Sequence, residues 1–183
     1  MLIVEGPDGA GKTTLIQRLS EDLRLPVAER VVTKDAEPMA DLVKWVEHNI
    51  ACGLHPVIYD RHRLISEPIY GPALRDSVEP GFDNLRWLRN QQQRLRILNP
   101  FVIFCLPPIE MVEANVSHDD DNKVVRQNIR LIYWLYFNLA ASWTTPSLVW
   151  DYTLDNNSYR GNTRYDALKG DVVQWMWAKG LKK

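Results

Sequence analysis

The chain is short of the residues that mark several large protein classes. It has only two cysteines, Cys52 and Cys105, in 183 residues. Both lie in apolar surroundings and read as small core residues, too few for a disulfide framework or a zinc site. A reducing compartment fits that usage. A charge surplus is also missing, because 22 Lys and Arg face 23 Asp and Glu, a net of −1. No global basic field therefore holds nucleic acid, although room remains for a local basic groove. No apolar run approaches the ~20 residues that a membrane span needs. Met1 runs straight into a short apolar segment and Glu5, without a basic-then-apolar leader, so a cytoplasmic protein without membrane contact is expected. Internal repeats and Ser/Gly-rich linkers are absent. The 45% apolar and 25% charged content excludes disordered, collagenous and low-complexity chains. One domain over residues 1–183 is expected.

What is present is an alternation of short apolar strands and amphipathic helices. Leu2-Ile3-Val4 reads as a buried strand ending at Gly6. A helix is expected from Lys12, with Leu15, Leu19 and Leu23 on one side, and Pro26 stops it. Further strands are expected over Val27–Val32, Pro56–Asp60, Phe101–Leu106 and Leu148–Trp150. Helices are expected around 39–50, 83–98, 109–116, 122–142 and 164–179. Residues 71–83, rich in Pro, Gly and Asp, read as an irregular connection. The pattern predicts an α/β fold, a three-layer sandwich with a mostly parallel five-stranded sheet covered by helices. Ligands in such sheets bind at the carboxyl ends of the strands.

The strongest local signal is Gly6-Pro7-Asp8-Gly9-Ala10-Gly11-Lys12-Thr13, a full match to G-x-x-x-x-G-K-[ST], followed by Thr14. It lies between an expected strand and an expected helix, as a phosphate-binding loop must. Its glycines let backbone N–H groups curl toward phosphate oxygens, and the helix aims its positive end at the same anion. Lys12 is the candidate for the β/γ-phosphates and Thr13 for Mg²⁺. ATP and Mg²⁺ are thus the expected cofactors. The loop alone fits kinases, GTPases and ATPases. A GTPase needs N-K-x-D, and Asn122-Lys123-Val124-Val125 lacks the Asp. No segment supplies the extra helical lid domain of a ring ATPase. A small-molecule or nucleotide kinase remains as the leading class.

Residues 4–14 resemble the opening of thymidylate kinases. Asp60-Arg61-His62 resembles their D-R-[YSH] signature, and Ser66 and Tyr70-Gly71 follow at the spacing of their S-x-A-Y-x-G stretch. Leu106-Pro107-Pro108-Ile109-Glu110 resembles their L-x-x-P-P-E. The string as a whole is most similar to the small bacteriophage-encoded members of that P-loop family, which puts the expected site of action in a host cytoplasm. The resemblance implies ATP-dependent phosphorylation of a deoxynucleoside monophosphate, dTMP or a related pyrimidine, to the diphosphate. It implies that Asp8 accepts a hydrogen bond from the acceptor's 3′-OH, that Arg61 grips the acceptor phosphate and that Asp60 holds Mg²⁺ through water or orders the site. Tyr70 joins the acceptor-binding group by the same resemblance. Lys34, in a loose match to T-R-E-P, is a further acceptor-side candidate. A homodimer is expected from the family's habit, with Trp134 and Tyr133 as candidates to face the partner.

Phosphoryl transfer spreads charge over the equatorial oxygens, so a cation that closes over them accelerates it. The loop carries Ala10 and no Arg, so a lid Arg is expected from residues 117–130. Lys123, Arg126 and Arg130 fall on one helical face there, and Arg126 is the first candidate. Asp119-Asp120-Asp121 reads as an exposed loop and helix start rather than a metal site. The sequence departs from the family in its base-reading helix, which carries Met39, Trp45 and His48 and no Arg. Other readings stay open. A deoxynucleoside kinase needs Asp35 or Glu37 as general base. A kinase acting on DNA, at a 5′ end or a modified base, needs a basic groove from Arg86, Arg89, Arg96 and Lys123. A binding module without turnover needs only the loop.

Overall fold

The computed structural model describes residues 1–28, 48, 51, 56–74, 90, 92–117, 123–155 and 164–181. Four strands form one parallel sheet among them: β1 (Leu2–Glu5), β2 (Ile58–Asp60), β3 (Phe101–Cys105) and β4 (Ser147–Trp150). Their order is β2-β1-β3-β4. β1 and β3 are buried along their whole length, which is why they read as continuous apolar runs without alternation. Four strands, among the described residues, stand against the five expected. The expected strand Val27–Val32 begins where it should, because Val27 forms a parallel bridge to Ile58 on the outer side of β2. Residues 29–32 lie outside the described residues.

Among the described residues, the helices include α1 (Lys12–Leu23), α2 (Arg63–Leu74), α3 (Ile109–Val116), α4 (Lys123–Ala141) and α5 (Arg164–Ala178). A 3₁₀ turn, Tyr152–Leu154, follows β4. α1 ends at Arg24 in the left-handed conformation, whose N–H returns to the Ser20 carbonyl, two residues before Pro26. One apolar cluster fills the interior, with Leu2, Ile3, Leu19, Ile58, Leu64, Ile103, Phe104, Ile132 and Tyr136 fully buried.

α2 corrects the expectation of an irregular stretch from residue 71, since it runs through Pro68 and Gly71 to Leu74. A proline inside a helix strands the carbonyl four residues earlier. Here that carbonyl is Leu64 O, and it accepts a 2.9 Å hydrogen bond from Gln92 Nε2. Residues 92–97 are helical as expected, while 83–89 are not described. The expected helix around 39–50, with Met39 and Trp45, lies almost wholly outside the described residues.

The register sets the strand ends side by side. Val4 pairs with Asp60, Glu5 with Phe104, and Cys105 with Trp150. The chain passes from β1 to β2 on one side and then returns to β3 on the other. The crevice at such a reversal, beyond the carboxyl end of β1, is where an open parallel sheet takes its ligand.

Candidate active site

Gly6 leaves β1 with φ +142°, and a Cβ there would sit 2.5 Å from the Cys105 carbonyl oxygen. Only glycine lets the chain turn this close to β3. Gly11 opens α1 in the left-handed conformation, with φ 79°. The curled segment between them walls a cavity of about 320 Å³ lined by Asp8, Gly9, Gly11, Lys12, Thr13, Thr14, Asp60 and Asn115. Thr13 and Thr14 are exposed toward solvent, and Ala10 is buried beneath the turn.

Lys12 is a buried cation, 8% exposed, and its ammonium donates to the Pro7 carbonyl at 2.6 Å. Burial, aided by the nearby Arg61 charge, pushes its pKa down to about 8. The cavity thus holds a buried cation, to which phosphate oxygens would add anionic partners beside Asp8 and Asp60.

Beside the loop stands a second polar cluster. Arg61 Nη2 donates to Asp8 Oδ1 at 2.5 Å, to the Tyr70 hydroxyl at 2.7 Å and, more weakly, to the Gly6 carbonyl at 3.4 Å. Tyr70 Oη donates to Asp8 Oδ2 at 3.0 Å. The guanidinium also lies 4.6 Å from the centre of the Tyr70 ring. Burial pushes the Asp8 carboxyl up, but the Arg61 and Lys12 charges outweigh it and hold it below its ordinary value. Burial likewise opposes the Arg61 charge, yet Tyr70, Tyr136, Asp8 and Glu5 around it leave its pKa raised. Arg61 Nε is buried with no hydrogen-bond partner among the described residues. Asp8 spends one lone pair of each oxygen in this cluster and keeps acceptor capacity for a ligand hydroxyl.

The loop, Lys12, Thr13, Thr14 and Asp60 therefore meet in one cavity, and Arg61 and Tyr70 join it through Asp8. Arg126 does not line the cavity. It sits in the first turn of α4 and donates to the Ser117 carbonyl at 3.4 Å, just past the end of α3. Arg130 is taken up by a two-point contact with Glu113, at 2.5 and 3.0 Å. Lys34 lies outside the described residues, as do 118–122 of the expected lid and Asp119-Asp120-Asp121 within it. Among the described residues no cluster of three or more His, Cys, Asp or Glu could hold a metal. Thr13 and Asp60, two hard oxygen donors on one cavity, fit a Mg²⁺ that takes its remaining ligands from phosphate and water.

Three site residues escaped the sequence reading. Asn115, on α3, donates through Nδ2 to the Gly9 carbonyl at 2.8 Å and to the Tyr152 hydroxyl at 3.1 Å. Tyr152, on the 3₁₀ turn, stands against Gly11, where a Cβ would come within 2.9 Å of its ring. Glu5 is a fully buried carboxylate at the end of β1, held by the His62 N–H and the Tyr136 hydroxyl. Its place as an acid closing an apolar strand was the available signal. His62 itself is buried, and burial drives its pKa down to about 3. Its Nδ1 accepts from the Leu64 N–H at 3.3 Å, so the neutral ring caps α2.

Tyr133 corrects another expectation. It is buried, with its hydroxyl on the Pro107 carbonyl at 3.0 Å. It cannot share an outward face with Trp134, which is exposed and packs edge-on against Phe137, because adjacent helical residues point about 100° apart. Arg96, a candidate for the basic groove, lies over the Trp143 ring, 5.2 Å from its centre. Arg86 and Arg89 are not described. Cys105 is a core residue whose thiol burial pushes up to about 12. No helix among the described residues is long and apolar enough to cross a membrane.

No family model matches the sequence, and no curated protein matches it. Solved structures do resemble it. The YorR protein of Bacillus subtilis, solved in complex with phosphorylated GDP, superposes with a TM-score of 0.64 at 18% identity, over 100% of this chain and 98% of that one. The deoxyadenosine kinase of M. mycoides with bound dCTP gives 0.61 at 17% identity, over 96% of this chain and 100% of that one. The same enzyme with bound dATP gives 0.60 at 15% identity, over 94% and 98%. At these identities the likeness is one of fold. The chain shares the parallel α/β fold of these structures.

Proposed function

We propose that the protein is a phosphotransferase that moves the γ-phosphoryl group of ATP to a deoxynucleoside monophosphate, dTMP or a related pyrimidine, giving the diphosphate. The observation that carries this reading is the arrangement of two cations around one loop, a buried Lys12 inside the phosphate cavity and a partly buried Arg61 beside it. Two anionic groups must be brought together for transfer between nucleotides, and one cation for each lowers their repulsion. Lys12 and the loop N–H groups take the donor phosphates. Arg61, with a buried Nε to spare, takes the acceptor phosphate. Asp8 keeps a lone pair for the sugar hydroxyl, and Tyr70 fixes both charged partners. Thr13 and Asp60 would hold Mg²⁺, which supplies neutralisation of the donor phosphates when bound. Arg126, in the first turn of α4, is assigned as the lid cation in this scheme.

A deoxynucleoside kinase is the second reading, favoured by the deoxyadenosine kinase among the structural neighbours. It requires a base for the sugar hydroxyl, and Asp35 and Glu37 lie outside the described residues. DNA is a third acceptor to include in the test. ADP release from Mg·ATP with dTMP, dUMP, dCMP, thymidine, deoxyadenosine and a short duplex decides among them, with Lys12→Ala as control. Turnover with one monophosphate supports the proposal. Turnover only with nucleosides or DNA, or none above the control, overturns it.

The protein also works as a homodimer in this proposal, with the exposed Trp134, Phe137 and Leu131 of α4 against the second copy. Sedimentation of the native chain and of Trp134→Glu tests this. A native monomer rejects it.

A further inference from the structure

Glu5 is an acid where the sheet is driest. It closes β1 and is 0% exposed. A buried carboxylate is costly unless donors reach it. Two do. The His62 N–H meets Oε1 at 2.6 Å, and the Tyr136 hydroxyl meets Oε2 at 2.9 Å. One donor belongs to the turn between β2 and α2, and the other to α4. A single carboxylate therefore joins the strand that launches the phosphate loop, the turn that carries Arg61 and the helix that carries Arg126. Glu5 does not itself line the phosphate cavity.

The turn needs such a tie. Arg61 has φ 65°, a conformation disfavoured for any residue with a Cβ. Its own N–H stays in the sheet, donating to the Val4 carbonyl at 2.9 Å. The next N–H, that of His62, turns to Glu5. Two successive amides pinned to two successive residues of β1 fix the left-handed step between them. His62 then starts α2, its carbonyl accepting from the Ile65 and Ser66 N–H groups at 2.7 and 3.0 Å. α2 carries Tyr70, the third member of the Arg61–Asp8–Tyr70 cluster. The carboxylate thus sets where both Arg61 and Tyr70 begin.

We infer that Glu5 is a positioning residue for the acceptor side of the site: it holds the left-handed turn that aims Arg61, and through Tyr136 it ties that turn to α4. The inference rests on the reading in which Arg61 grips the acceptor phosphate. It assigns Glu5 no contact with either substrate.

Steady-state kinetics of Glu5→Ala, Glu5→Gln and Glu5→Asp, with ATP and the monophosphate varied separately, test it. Glu5→Gln keeps an oxygen for the His62 N–H and an amide that can donate to the Tyr136 oxygen. Glu5→Ala keeps neither. Glu5→Asp keeps the charge but withdraws it by one methylene. The expected result is a rise in acceptor KM of about tenfold or more in Glu5→Ala, the scale of one lost hydrogen bond to a charged group. ATP KM stays within about twofold, and Glu5→Gln brings acceptor KM back toward the native value. If Glu5→Ala does not fold, Glu5→Asp must show the same selective rise. Equal rises in both KM values, an unchanged acceptor KM, or a Glu5→Gln as impaired as Glu5→Ala overturns the inference while leaving the kinase reading intact. A native chain that turns over no monophosphate overturns the kinase reading and this inference with it.

Discussion

Removing one oxygen, in Tyr70→Phe, probes the charged cluster with little disturbance of its packing. The hydroxyl accepts from Arg61 at 2.7 Å and donates to Asp8 at 3.0 Å. Hydrogen bonds to charged groups contribute about 1.5–3 kcal/mol each. The net loss is smaller here, because neither partner is stranded. Arg61 Nη2 keeps Asp8 Oδ1 and the Gly6 carbonyl. The Asp8 side chain is 30% exposed, so water reaches its freed oxygen. The ring that Arg61 packs against survives as phenylalanine. The expected cost is therefore about 1–2 kcal/mol. In a chain of this size each kcal/mol lowers Tm by about 2–4 °C, so calorimetry should find a fall of about 2–8 °C. If the same energy is lost from holding Arg61 against the acceptor, acceptor KM rises about 5- to 30-fold at saturating ATP. A fall in Tm well beyond this range would mean that the hydroxyl supports the fold itself. A rise in ATP KM with acceptor KM unchanged would refute the placement of the cluster on the acceptor side.

Other outcomes follow from the same geometry. Lys12 must be charged to hold phosphate and has a pKa lowered to about 8 by burial, so kcat/KM for ATP should fall as pH rises through that value and hold steady below it. A profile flat to about pH 9.5 contradicts this. Gly6→Ala forces a Cβ onto the Cys105 carbonyl in a left-handed conformation and should cost at least about 2 kcal/mol, a Tm loss of roughly 4 °C or more in a thermal scan. Arg126→Ala should lower kcat about 100-fold, as loss of a group that meets transition-state charge does. Arg130→Ala removes only an exposed ion pair with Glu113 and should leave both kcat and Tm nearly unchanged. Equal kinetic effects of the two arginine variants would remove Arg126 from the lid role.

The phosphate loop was legible in the sequence because its chemistry is local. Strand, glycines, Lys12 and helix are consecutive, and nothing distant is needed to read them. β1 and β3 were legible because burial on both faces leaves an unbroken apolar run. The rest depended on partners far along the chain. Glu5 meets donors 57 and 131 residues away. No spacing rule reaches across such distances. The end of α2 was misread because Gly71 and Pro72 are strong loop signals, and the donor that compensates Pro68, Gln92, is 28 residues from Leu64. Tyr133 and Trp134 looked alike as neighbouring aromatics, and only the packing of α4 separated the buried ring from the exposed one. Asn115 carried no signal at all, since its importance lies in the carbonyl of Gly9 that it happens to face.

The bond from Gln92 to Leu64 also sets an order of events during synthesis. Until residue 92 has left the ribosome, only water can replace the donor that Pro68 denies the Leu64 carbonyl. The helix that carries Tyr70 can start at His62 but is not complete in its hydrogen bonding. Both sides of the site are thus finished late, since the Gly9 carbonyl waits for Asn115 as the Leu64 carbonyl waits for Gln92. A nascent chain stopped short of α4, the helix against which α2 packs, should expose its α2 backbone to proteolysis and solvent exchange, and one that includes Lys123–Ala141 should begin to protect it.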